Sequence, residues 1–247
     1  MRIFLFCLFF IFIGTFCSAQ KIRFVTMNCS VTKGQKDTIE KIALYELNYF
    51  KSVFPIQKIP TIKIMLYGDY EKFKQSEKST PRYARSKQGY FSPARKQVCV
   101  FKDTDFVRTC YHETSHFIFD SQMPNIPTWI NEGLACYFEN ATIDTSGSVI
   151  IKPWRYGKWR MKELVKEKKP DMNWLVGASY RKFHFRHELD HYVESWAVVY
   201  YLMQTHKNLV GEIIKSMSPT TTSAEAINIC YTGGMAQLQK DVVEYYK

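Results

Sequence analysis

Apolar residues recur near helical spacing between Asp37 and Phe54, at Ile39, Ile42, Ala43, Leu47 and Phe50, and predict a first helix there. Before it, Lys21 to Met27 fits a short strand. After it, Thr61–Tyr67 alternates between Pro60 and Gly68-Asp69, the pattern of a second strand, and a short helix follows over Asp69–Ser76. The stretch Ser79–Arg95, with Pro81, Gly89, Ser92 and Pro93, reads as loop or hairpin and leads into a strand over Gln97–Phe101. From Asp103 the periodicity turns helical and holds to about Asp120. A Pro-bounded loop over Gln122–Pro127 precedes a helix over Thr128–Glu139, with Thr128 its candidate N-cap. Further helices are expected over Lys158–Lys168, His187–His206, Val210–Met217, Ser223–Ile229 and Gly234–Tyr246. The order predicts an α+β fold: a small mixed α/β lobe over about 20–120, then a helical lobe over about 121–247. There is no internal repeat and no low-complexity linker.

The first twenty residues change the picture. They run from Arg2 through an apolar stretch, Ile3–Ile13, to the small-residue end Cys17-Ser18-Ala19, the layout of a signal peptide cut after Ala19. The apolar stretch is short for a bilayer-spanning helix of about 20 residues, so the mature chain is expected to be exported, periplasmic or extracellular, with no transmembrane segment. Gly14, Thr15 and Phe16 before Cys17 do not resemble a lipid-attachment box. Five cysteines then remain, Cys29, Cys99, Cys110, Cys136 and Cys230. An odd number allows at most two disulfides, and spacing does not reveal the pairing. No CxxC pair is present, so a cysteine-ligated zinc ribbon is unsupported. The formal net charge is +11, in short basic groups such as Arg82–Lys96, Lys152–Lys169 and Arg181–Arg186. A solvated basic surface accounts for this, and attraction to an anionic envelope, matrix or substrate is the sharper alternative. No nucleic-acid-binding module accompanies the charge, so nucleic acid is not an expected partner.

The densest chemistry is at residues 112–132. His112-Glu113-Thr114-Ser115-His116 is an HExxH pattern, and residues four apart on a helix share one face, so both imidazoles can converge on one ion. Zn2+ suits such a pair, provided that a further protein ligand completes the site and an open position holds the water to be activated. Glu113 lies next to that face, where a carboxylate can take a proton from the water and hand it to the leaving amine. Sixteen positions beyond His116, Glu132 stands within Trp129-Ile130-Asn131-Glu132-Gly133-Leu134-Ala135, on the second expected helix. The loop with Pro124 and Pro127 lets that helix fold back beside the first.

At these residues the chain resembles the gluzincin metallopeptidases, in particular bacterial exported proteins whose pattern runs HExxH, a short Pro-containing loop, then W-x-N-E-G-x-A. The resemblance implies a zincin-like fold with the metal site between the two lobes, one catalytic domain over 20–247, and Glu132 as the third zinc ligand beside His112 and His116. A metzincin would require Gly and His where this chain has Phe119 and Gln122. One departure stands out. Where thermolysin-like gluzincins carry an acidic residue four after the ligand Glu, to orient a zinc-bound His, this chain has Cys136. Another group must then fix the imidazole, with Asp120 and Asn131 as candidates.

The resemblance extends to His191–Leu202, which looks like the gluzincin aminopeptidase helix that bears a catalytic Tyr. Tyr192 falls at the matching place as donor to the developing oxyanion, with His191 the alternative. His184, His187 and His191 raise the question of a second metal site, for which no third ligand in motif-like context is found. In gluzincins an edge strand before the active-site helix pairs with extended peptide, and Gln97–Phe101 occupies the corresponding place, with an interior, merely structural strand as the other reading. The Gly-x-Met-Glu-Asn signature of the aminopeptidases is absent, which points to an endopeptidase acting on a peptide or protein. The sequence does not fix the oligomeric state. Two other function classes fit the same residues: a zinc hydrolase of a non-peptide bond, and a binding protein that keeps the fold without turnover. Intact Glu113 argues against the second.

Overall fold

The computed structural model describes residues 22–53, 60–80, 86–123 and 125–247. The expected leader with its cleavage point after Ala19, and Pro124 of the expected loop, lie outside them. In chain order the first lobe comprises β1 (Ile22–Met27), α1 (Lys33–Val53), β2 (Ile62–Tyr67), α2 (Tyr70–Lys78), β3 (Gly89–Ser92), β4 (Gln97–Phe101) and α3 (Phe106–Gln122). The helical region follows with α4 (Thr128–Glu139), a hairpin of β5 (Ala141–Ile143) and β6 (Val149–Ile151), then α5 (Arg155–Lys166), α6 (Met172–Gly177), α7 (Tyr180–Phe183) and α8 (Glu188–Thr205). It closes with α9 (Leu209–Ser216), α10 (Ser223–Cys230) and α11 (Gly234–Tyr246). The expected succession of a mixed α/β lobe and a helical region is therefore present. No helix among the described residues is long and apolar enough to cross a membrane.

The four-stranded sheet has the order β1-β2-β4-β3, with β1, β2 and β4 parallel and β3 antiparallel to β4. This corrects the expectation for Gln97–Phe101: β4 is an interior strand, and the hairpin within Ser79–Arg95 supplies the edge as β3. Alternation sorts the side chains. Ile62, Ile64, Leu66, Val98 and Val100 enter the main core, whereas Tyr67, Tyr90 and Cys99 meet Phe73 of α2 on the other face. Helix α1 starts four residues earlier than its periodicity suggests, because Thr32 and Gln35 cap it reciprocally: Gln35 N donates to Thr32 Oγ1 at 3.2 Å and Thr32 N to Gln35 Oε1 at 3.0 Å. Thr128 proves to be the first residue of α4, with Pro127 in the cap position and its carbonyl accepting from Ile130 and Asn131. The five cysteines of the described residues are all free thiols.

The core is continuous from lobe to lobe. Phe50 of α1 meets Phe119 of α3 edge-on at 5.2 Å and Phe138 of α4 at 6.0 Å, all three rings being buried. On its other side α4 packs against α8, and Gly133 is what lets them approach. A β-carbon there would lie 2.7 Å from Ser195 O and 2.7 Å from Val199 Cγ2. Gly133→Ala must therefore spread the two helices, and we expect a loss of about 1–3 kcal/mol in denaturant unfolding. An Ala variant as stable as the parent would show that the contact yields.

Candidate metal centre

Helix α3 brings His112 and His116 onto one face, their rings 4.8 Å apart at a steep 82°. Helix α4 folds back antiparallel beside it and delivers Glu132, 5% exposed, to the same point. Glu132 Oε2 lies 3.5 Å from His112 Nε2 and 3.5 Å from His116 Nε2. That oxygen is fully buried and has no hydrogen-bond partner among the described residues. A buried carboxylate oxygen left without a donor, facing two imidazole nitrogens at equal distance, is an arrangement that a divalent cation would suit. The three ligand atoms lie within 4.8 Å of one another, a spacing that a divalent metal ion can draw together.

Each imidazole is oriented from behind. His116 Nδ1 lies 2.9 Å from Asn131 Oδ1, and His112 Nδ1 lies 3.2 Å from Glu139 Oε2. A ring nitrogen so engaged leaves the other one, Nε2, for a metal. Asn131 was one of the two residues expected in this role. Asp120, the other, pairs with Lys96 instead. The second orienting group, Glu139, escapes a reading by spacing because it stands two helical turns after Glu132 rather than one; Arg108 holds its other oxygen at 3.3 Å. Cys136 stays close to the centre all the same: its sulfur, His112 and Glu139 form a second group whose atoms lie within 4.8 Å of one another. These two groups, both containing His112, are the metal-competent clusters among the described residues, and neither includes His187 or His191.

A cleft of about 1180 Å³ opens over His112, His116 and Glu132. One wall is β3, the other the junction of α7 and α8. Because Phe101 N donates to Gln88 O, the antiparallel alternation turns Tyr90 and Ser92 toward β4 and leaves the main-chain groups of Gly89 and Phe91 at the open edge. Gly89 is needed there, since a β-carbon would fall 2.6 Å from Thr109 Cγ2 and 3.1 Å from Glu113 Cγ. On the opposite wall Tyr192 faces into the cleft, its ring 6.3 Å from that of His112. His191, one residue earlier on the helix, turns away: its Nδ1 sits 2.6 Å from Phe183 O and its ring lies against Trp174. His184 joins Tyr192 instead. Its Nδ1 is held by Glu188 Oε1 at 2.7 Å, while its buried Nε2 has no hydrogen-bond partner and lies 3.6 Å from Glu132 Oε1. The only sequence signal for His184 was its place in a short run of histidines.

The electrostatics follow from burial and opposite charge. Burial alone would raise Glu132, but the pull of His116, then of His112 and His184, holds its carboxyl at about 2. For His112 burial would lower the pKa, and the Cys136 thiol with Glu132 and Glu139 outweighs it, so the imidazole stays well above its ordinary range. Glu113 is raised by burial, against the His116 and His112 charges. Burial likewise raises Tyr192 and pushes the Cys136 thiol to about 11. On the rear face of α3, Ser115 Oγ contacts Glu46 Oε2 of α1 at 3.0 Å, and burial lifts Glu46 well above the carboxylate range.

These shifts have a sign that can be checked. The groups that raise His112 in the metal-free site favour its protonated form, so metal uptake should release protons and affinity should rise with pH. Calorimetric titration of a divalent ion in buffers of different ionisation heat reads this directly, and uptake without proton release would overturn it. Glu132, lowered on folding, contributes stability to the metal-free protein that is complete above its ordinary 4.5 and lost as pH falls toward about 2. A Glu132→Gln variant should lack that part of the acid-side decline in a melting-temperature series.

Residues 106–223, which span α3 to the start of α10 and so include His112, Glu113, His116, Glu132, His184 and Tyr192 but not the β3 wall of the cleft, match a family model described as "Protein of unknown function (DUF1570)". No curated protein matches the chain.

Proposed function

We propose that the chain is an exported zinc-dependent peptidase with a gluzincin-like catalytic domain over residues 20–247, freed from a leader near Ala19, and with His112, His116 and Glu132 as its metal ligands. The observation that carries the reading is the orphaned Glu132 oxygen midway between two ring nitrogens, at the floor of a cleft that Glu113 also lines. Two imidazoles and one carboxylate are a donor set of catalytic zinc, which leaves a coordination position open. Bound there, zinc would polarise a water and a substrate carbonyl.

The protein's own groups supply the rest. Glu113, its pKa raised toward working pH by burial, takes the proton of the attacking water and returns it to the leaving amine. Tyr192 and His184 stand together on the facing wall, their rings 5.9 Å apart. The Tyr192 hydroxyl stays protonated and donates to the carbonyl oxygen as charge develops on it; His184, whose Nδ1 donates to Glu188, adds a second donor through Nε2 in its doubly protonated form. A peptide substrate is favoured over other hydrolysable bonds by β3, the edge strand that lines the cleft beside Glu113, along which an extended chain can lie and pair with the main chain.

Metal analysis of the purified protein should give about one zinc per chain, and His116→Ala should lose it. Full occupancy in that variant would sink the ligand assignment. Glu113→Gln should keep the metal and release no peptides from a proteome digest that the parent cleaves. For Tyr192→Phe we expect kcat to fall by about 10² to 10³ with the metal retained, as for one lost oxyanion donor; unchanged turnover removes Tyr192 from the mechanism.

A further inference from the structure

The stretch from residue 150 to 189 is unlike the rest of the surface in two independent ways. Seven of the twelve large apolar side chains that stand exposed among the described residues fall within it. The same forty residues carry eleven Lys and Arg against four Asp and Glu, a net +7 of the chain's +11. Isolated exposed aromatics need no explanation, and neither does a basic helix. Their coincidence on one face does.

Five of the seven, Tyr156, Trp159, Tyr180, Phe185 and Leu189, line the mouth of the cleft or follow directly from residues that line it. Trp154, which lines the cleft, stacks outward on Tyr156 at 5.8 Å, and Tyr156 on Trp159 at 5.6 Å; Tyr156 is 41% and Trp159 56% exposed. Arg160, beside Trp159, grips Asp190 of α8 with two bonds of 2.7 and 2.8 Å, which ties this row to the other side of the mouth. There Tyr180 and Leu189, 62% and 50% exposed, line the same cleft, and Phe185 at 62% stacks under the Arg186 guanidinium at 5.3 Å. Arg155, Lys158, Arg181, Lys182 and Arg186 are all exposed between and around these rings.

We propose that this aromatic and basic rim, formed by the start of α5 and the α7–α8 junction, docks the protein peripherally on an anionic phospholipid surface, with the cleft opening at the lipid boundary. Protruding Trp, Tyr, Phe and Leu are the side chains that settle among headgroups, while Lys and Arg at their flanks meet the lipid phosphates. A soluble acidic polymer would satisfy the cations alone and leave the exposed rings without a role, and for that reason lipid is the better match. The contact is interfacial and requires no spanning helix. It also does not depend on turnover, so it stands or falls apart from the peptidase reading.

The test uses the Glu113→Gln protein recovered after export, its N-terminus read by mass spectrometry to establish that the leader is gone. It is sedimented with vesicles of phosphatidylcholine alone and with vesicles containing phosphatidylglycerol. We expect binding only to the second, weakening with added salt, with a blue shift of tryptophan emission on binding. Trp159→Ala with Tyr156→Ala should lower the partition coefficient about tenfold or more, and Arg155→Glu with Lys158→Glu at least about tenfold at low salt. Tyr70→Ser, an exposed ring in the first lobe, should leave it unchanged. All these positions are on the surface, and unaltered circular dichroism and melting show that each variant is folded. No partition onto the anionic vesicles overturns the proposal. So does binding that the rim variants leave intact, and so does selective capture of soluble polyglutamate by a protein that ignores the vesicles.

Discussion

A carboxylate buried to 5% exposure cannot hold its charge unless the protein surrounds it with positive partners, and Glu132 imposes that requirement on everything near it. Removing such a group from water costs several kcal/mol even after relaxation, a sum comparable with the whole stability of many domains. Two imidazoles at 3.5 Å offset part of it, and the oxygen that lacks any hydrogen bond marks where a cation would offset the remainder. For the carboxylate to reach that point, α4 must lie close against α3 on one side and α8 on the other. Gly133, the residue after Glu132, provides the second approach by having no side chain. The carboxylate and the packing that positions it are thus adjacent in sequence.

The same constraint accounts for the outer groups. An imidazole that donates from Nδ1 is held in one tautomer and one rotation, and the chain provides an acceptor for each: Asn131 from the residue before the ligand Glu, and Glu139 from the end of the same helix. Placing Glu139 seven residues after Glu132 keeps it on the ligand-bearing face, since seven residues make nearly two turns. The position one turn on is taken by Cys136, a small thiol that stays protonated and neutral, so that face of His112 is packed without adding another charge.

Much of this was legible because it depends on local periodicity. The i, i+4 histidines, the alternation of β2 and the bounds of α4 and α11 follow from side-chain spacing alone. What was not legible depends on which elements become neighbours. Nothing within Gln97–Phe101 says that another strand will lie outside it, and its near-continuous apolar character, Val98, Cys99 and Val100 all at 0% exposure, is in retrospect that of an interior strand. Tyr192 and His191 differ by one residue, or about 100° of helix rotation, and only the packing of α8 against α4 and α7 decides which faces the cleft. His184 reaches the cleft from a four-residue helix just before the left-handed pair Arg186 and His187, a bend with no local periodic signature. The β5–β6 hairpin is likewise built on a tight loop, where Asp144 Oδ1 accepts from the amides of Ser146 and Ser148, rather than on a hydrophobic alternation long enough to read.

The free edge of β3 has a bearing on self-association. An unpaired strand edge is a template on which a second copy of a chain can add its own strand, and proteins ordinarily blunt such edges with charge, bulges or cover. This one is short and recessed: Gly89 is buried against Thr109 and Glu113, its amide donates to Ser86 Oγ at 3.0 Å, and the edge lines a cleft rather than the outer surface. Burial and a side-chain acceptor thus blunt β3 without the charge or bulge that an exposed strand would need, which lowers its tendency to add a strand from a second copy.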